Sequence, residues 1–159
     1  MDELVIRVAV AGDNGSLRRA VIELQEYERN LHWSRLPGEA IADAYIAWLY
    51  QEATKGGSIL VAEAGGAFAG FAVGWIERNS FIAETAESNR YGYISDICVL
   101  PPYRGHGIAG RLLAALEVRL AKSGITAVRL GVLAGNHVAQ SAYRRAGFTP
   151  YEIIYEKRI

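Results

Sequence analysis

The sequence predicts an α+β (mixed α/β) domain, with one central, mostly antiparallel sheet flanked by about four helices. Three observations carry that expectation. Two stretches with apolar residues at helical spacing come early, a hairpin pattern follows them, and a strand-turn-helix-strand unit occupies the second half.

The first strand is read over Leu4 to Val10, where branched residues alternate around Arg7. Ala11 to Ser16 turns the chain, and Ser16 or Asn14 is placed to cap a helix running to about Asn30, with Leu17, Val21 and Leu24 on its apolar stripe. Pro37-Gly38 breaks the pattern. A second helix is expected over Glu39 to Lys55 on Ile41, Ala44, Tyr45, Trp48 and Leu49, ended by Gly56-Gly57. Strands over Ser58 to Ala64 and Gly70 to Glu77 flank Gly65-Gly66 as a hairpin. Arg78 to Asn89 is polar and reads as a loop, and Tyr91 to Leu100 as the next strand. Ile108 to Ser123 is helical, with Gly124 as its C′ residue, and Ile125 to Leu133 is a strand. Val138 to Ala146 forms a short helix stopped by Gly147, and Phe148 to Lys157 a final strand or pair of strands.

Length and composition limit the classes of function. With 159 residues the chain suits a single domain over 1–159, and no repeat or linker divides it. Seventeen basic residues balance 17 acidic ones, so there is no net field to draw in nucleic acid. No apolar run approaches the roughly 20 residues that cross a bilayer. The opening Met1-Asp2-Glu3 is acidic where a secretory signal is basic, so a cytoplasmic protein without membrane contact is expected. The single cysteine, Cys98, rules out an internal disulfide and is expected as a small buried apolar residue. None of the three histidines has metal-ligand spacing, and no metal is expected.

The stretch Val99-Leu100-Pro101-Pro102-Tyr103-Arg104-Gly105-His106-Gly107-Ile108-Ala109-Gly110-Arg111 carries the clearest chemistry. Two prolines end a strand, two glycines let the backbone bend tightly, and an amphipathic helix leaves the turn. Free amides and the positive end of that helix make an anion site, to which Arg104 adds a cation suited to phosphate oxygens. A pyrophosphate-bearing cofactor follows. Gly105, Gly107 and Gly110 also satisfy G-x-G-x-x-G, but the next strand, Ala127 to Leu133, carries Arg129 and no acidic residue for a ribose hydroxyl. A Walker-type reading fails because no Lys-Ser or Lys-Thr pair closes the turn.

Arg104-x-x-Gly107-x-Ala109 resembles the acetyl-CoA signature of the GNAT superfamily of N-acetyltransferases, Gln/Arg-x-x-Gly-x-Gly/Ala. Asn136, Ala139, Tyr143, Gly147 and Phe148 resemble its second signature, Asn-x-x-Ala-x-x-x-Tyr-x-x-x-Gly-Phe. The resemblance covers nearly the whole chain. It implies acetyl-CoA as cofactor and a sheet whose central strands splay apart, with the pantetheine arm in the gap. Val99, with Ile97, would then offer backbone groups to that arm. The amides of Gly105, His106, Gly107, Ile108 and Ala109 would hold the pyrophosphate, and Asn136 would reach the arm with its side-chain amide. A helix cap is the plain alternative for Asn136, and the two roles can coexist.

Acetyl transfer to an amine needs a base, an oxyanion donor and an acid. Backbone amides near Ile97, Cys98 and Val99 would polarise the thioester carbonyl if the strand bulges there. Tyr143 matches the tyrosine that the family uses toward the departing thiolate; without the motif it reads as a helix aromatic packed on the sheet. Asp96 is the sole carboxylate on the strand entering the turn, a candidate base directly or through water, or else an anchor for a neighbouring loop. Glu77 and Glu23 are reserves. A covalent route through Cys98 is not favoured; His106 reads as a solvent-facing spacer and His137 as the residue that opens the last helix. The expected partner is a small-molecule or protein amine acceptor, walled by Glu23, Tyr27, Trp33, Trp75, Glu77, Glu84 and Glu87, with a homodimer left open. An acyl-CoA-binding or sensing domain without chemistry is the competing class.

Overall fold

The computed structural model describes residues 3–159; Met1 and Asp2, which open the acidic start noted above, lie outside the described residues. The strands are β1 (Leu4–Val8), β2 (Ser58–Ala64), β3 (Ala67–Arg78), β4 (Arg90–Val99) and β5 (Val128–Leu130), and they lie side by side in that order. The first four pair antiparallel with their sequence neighbours, whereas β4 and β5 run parallel. The helices are α1 (Asn14–Arg29), α2 (Gly38–Ala53), α3 (Ile108–Lys122) and α4 (His137–Arg145).

The sheet is covered on both faces. Leu17, Val21 and Leu49 from α1 and α2 pack on Ile59, Val61, Phe71 and Trp75, while Leu112, Leu113 and Leu116 of α3 pack on Leu60, Ala62, Ala72 and Ile94. Odd and even positions of β2 are therefore both apolar, as a strand buried on two faces requires. The hairpin closes through Gly65 and Gly66, both at positive φ (57° and 78°), which a two-residue turn matching the strand twist needs. Gly124 (φ 76°) and Gly147 (φ 93°) end α3 and α4 as expected.

Four expectations change. The first strand stops at Val8 rather than Val10, because Val10 donates its N–H to the Asp13 carboxylate at 2.7 Å and enters a 3₁₀ turn. Neither Asn14 nor Ser16 caps α1: the Asn14 side chain accepts the Tyr50 hydroxyl at 2.8 Å and that of Ser16 is taken by Arg19. The strand expected over Ile125 to Leu133 shrinks to Val128–Leu130, since Gly131 and Gly135 interrupt the run beyond it. Finally, Phe148 to Lys157 forms no strand. Its Tyr-Glu-Ile-Ile-Tyr-Glu pattern puts apolar residues on both faces and so specifies no register, and Ile153, Ile154 and Tyr155 stand exposed. Among the described residues no helix is long and apolar enough to cross a membrane.

Candidate active site

Two features of β4 create the site. Val73 of β3 faces Asp96 but its neighbour Gly74 faces Ile94, so Ser95 is an extra, bulged residue. That insertion reverses the alternation. Ile94 packs on the α3 face, Asp96 meets Tyr45 of α2 on the opposite face, and Ile97 and Val99 return to the α3 side. The expected bulge thus exists, but it lies ahead of Ile97 to Val99. The second feature is the short partner strand. β5 pairs only with Gly92, Tyr93 and Ile94, so the outer edge of β4 is open from Ser95 onward. Leu100 donates its N–H to Ala69 on the inner side at 2.9 Å, and by antiparallel alternation Val99 and Ile97 present their backbone groups outward.

That open edge lines a groove of about 980 Å³, continued by Gly105, Gly107, Asn136 and Tyr143 and walled by Leu24 and Tyr27 of α1. At one end the chain turns through Gly105 (φ 82°) and Gly107 (φ 76°) into α3. A Cβ on either glycine would meet open space, so the requirement there is conformational. Among the described residues, the amides of Gly105, His106, Gly107, Ile108, Ala109 and Gly110 donate to no protein acceptor; the ladder begins with Arg111 N–H on the Gly107 carbonyl at 3.2 Å. No side chain caps α3. A run of unpaired donors at a helix N-terminus, bent by left-handed glycines, is a nest for a multiply charged anion.

The side chains fall into place unevenly. Arg104 turns away from the nest: its Nε donates to the Val99 carbonyl at 2.9 Å and its Nη2 to Glu23 at 3.0 Å. His106 is exposed, with Nδ1 3.3 Å from the Tyr103 carbonyl. Asn136 is buried and caps α4, its Oδ1 accepting the Ala139 N–H at 3.0 Å, and its Nδ2 makes no bond among the described residues. The cap is real, and the amide donor remains available to the groove.

Tyr143 packs edge-on against Phe148, with ring centroids 6.2 Å apart, and its hydroxyl finds no partner among the described residues. Burial, reinforced by the negative charges of Asp96 and Glu28, pushes its phenol up to about 12 and keeps the proton on. Asp96 is 7% exposed and has no cation partner among the described residues. The Tyr45 hydroxyl donates to its Oδ1 at 2.9 Å, and the Ser95 hydroxyl to its Oδ2. Desolvation raises this carboxyl to about 6, against the lowering effect of those two hydrogen bonds. Asp96 does not line the groove; it sits behind the bulge, on the α2 side. Cys98 is buried, and its thiol is pushed up to about 12, mainly by desolvation.

The expected acceptor wall is partly dismantled. Trp75 is core, packed edge-on between Trp48 and Tyr93, and it donates to Glu77. Glu84 pairs with Arg129, and Trp33 bonds Glu156 at 3.1 Å with Arg158 over its ring. Tyr27 remains on the groove. Two contributors were missed, Tyr45 and Ser95. The adjacent polar pair Ser95-Asp96 inside an apolar strand was the available sign of a bulge, while nothing local pairs Asp96 with Tyr45. No group of three or more metal-binding side chains occurs among the described residues.

Comparison with known proteins places this geometry. The family described as Acetyltransferase (GNAT) family matches residues 22–148. The uncharacterized N-acetyltransferase YycN of Bacillus subtilis is 32% identical over 55% of this chain, and the chain spans only 54% of YycN, about half its length. The thialysine N-epsilon-acetyltransferase of Bos taurus is 30% identical over 91% of this chain and 83% of that protein. Among solved structures, a GCN5-related N-acetyltransferase from Ralstonia eutropha superposes with a TM-score of 0.77 at 21% identity, covering 98% and 99% of the two chains. AAC(6')-Iy, bound to a bisubstrate analogue of coenzyme A and acetylneamine, gives 0.72 at 22% identity, covering 99% of this chain and 100% of that one.

Proposed function

The chain belongs to the GNAT acetyltransferase family, and from that premise we propose that it moves an acetyl group from acetyl-CoA to a primary amine by direct attack in a ternary complex. The observation that carries the reading is the run of unpaired amides from Gly105 to Gly110, continuous through one groove with the open edge of β4 and with Tyr143. These residues suit the cofactor. The nest would take the pyrophosphate, the outward groups of Ile97 and Val99 would pair with the pantetheine amides as an added strand does, and Asn136 Nδ2 would donate to the same arm. Acetyl-CoA supplies an activated thioester carbonyl when bound.

The chain's own residues do the rest. Asp96, poised near pH 6, draws the proton from the acceptor amine through water, because it stands behind the bulge rather than in the groove. Outward amides of the β4 edge would polarise that carbonyl. Tyr143, protonated throughout the physiological range, would offer its hydroxyl hydrogen to the departing sulfur. The buried, protonated thiol of Cys98 is a poor nucleophile, which favours direct attack over an acetylated enzyme.

The test is calorimetry with coenzyme A followed by thiol release from acetyl-CoA across a panel of primary amines. Binding together with amine-dependent thiol release is expected. Absence of coenzyme A binding overturns the reading. Binding without release on any amine transfers the protein to the acyl-CoA-sensing class.

A further inference from the structure

Arg104 is the one cation beside the nest that the signature motif supplies, yet the fork it would offer to phosphate is already filled. Nε and Nη2 form one edge of a guanidinium, the edge that grips two oxygens in parallel. Here Nε is on the Val99 carbonyl at 2.9 Å and Nη2 on Glu23 Oε1 at 3.0 Å. Val99 O is itself an outward acceptor on the open edge of β4, the group an extended ligand arm would pair with. Two elements of the proposed cofactor site therefore satisfy each other, and a carboxylate from α1 holds them together.

We infer that Glu23 is a positioning residue for cofactor capture: it holds Arg104 on the Val99 carbonyl in the free protein, and the cofactor must displace that bridge to engage either group. The inference rests on the proposed coenzyme A groove. The bridge is suited to displacement. Its side chains are 48% and 40% exposed, so its strength is that of a surface ion pair, sufficient to orient Arg104 and too weak to exclude a diphosphate. Both residues sit by the groove, where Leu24, next to Glu23, and Arg104 line the wall. Once released, the Glu23 carboxylate is left unpaired beside the groove.

The experiment is a double-mutant cycle in coenzyme A affinity, read by calorimetry on the full chain as wild type, Glu23→Gln, Arg104→Met and both together. Glu23→Gln should tighten binding about two- to fivefold, the worth of one exposed ion pair. Arg104→Met should weaken it, and Glu23→Gln should then have no effect in the Arg104→Met background. Glu23→Asp, which keeps the charge, should stay near the wild-type affinity. Unchanged or weaker binding by Glu23→Gln, or the same tightening without Arg104, overturns the inference while leaving the groove intact. If the wild type binds no coenzyme A, the groove reading falls and this inference falls with it.

Discussion

The amide nest in the groove and the carboxyl behind the bulge are built on different principles. The nest at Gly105 to Gly110 is backbone throughout, set by two left-handed glycines and a helix start, so its donors are fixed by residues adjacent in sequence. The carboxyl of Asp96 is set by distance in the chain: a bulge against β3, a hydroxyl from α2, and burial under two helices. A backbone site tolerates most side chains but few changes of conformation. A buried carboxyl tolerates the reverse.

Substitutions at each of the two should separate the two kinds of site. Gly107→Asp is the most severe. Aspartate there would strain the left-handed backbone at φ 76° and bring a negative charge into the nest, lowering coenzyme A affinity on the order of a thousandfold; calorimetry measures it, and a loss under tenfold would mean the nest is not the diphosphate site. Asp96→Asn should leave coenzyme A affinity nearly intact and lower kcat by roughly a hundredfold or more. The parent's rate should rise with pH through about 6 as the carboxyl ionises, and that limb should vanish in the variant.

Stability should move the other way. The folded carboxyl titrates near 6 against a reference of 3.8, so the stability it contributes is present below about 3.8 and is lost as pH rises through 6. Asp96→Asn should therefore raise the stability at pH 8 by on the order of 3 kcal/mol, seen as a higher Tm, and change it little at pH 4. A Tm difference independent of pH would show that folding does not raise the titration of this carboxyl. Tyr143→Phe should lower kcat about tenfold with coenzyme A affinity unchanged, and an unaltered rate would remove the acid role. The smallest effect is expected from Tyr45→Phe. Removing a donor to the Asp96 carboxylate should shift the acid limb of the rate profile upward by about one pH unit or less. A downward shift would contradict the hydrogen bond.

The same division explains what could be read in advance. Gly105, Gly107 and Gly124 announced their turns, and the apolar stripes placed α1, α2 and α3 to within a few residues, because caps, breakers and periodicity act locally. The bulge at Ser95 was only half visible. It was expected near Ile97 to Val99, and its position depends on how Gly74 meets Ile94 across the hairpin. The Tyr45 to Asp96 contact joins residues 51 apart in the chain and leaves no local trace. The segment after Phe148 misled for a related reason: its composition favours a strand, but a strand also needs an edge with a defined register. Arg104 was expected toward phosphate, and a carboxylate on α1 that no motif includes has drawn it aside.

Because β5 ends after Leu130, the sheet keeps a row of main-chain groups in reserve. Whatever pairs with that row completes the architecture as well as occupying a site, so occupancy and folding are one linked equilibrium. At a ligand concentration a hundred times its dissociation constant, such linkage adds about 2.7 kcal/mol to the folded state. The folded population of this protein would then follow the supply of the molecule that fills the gap.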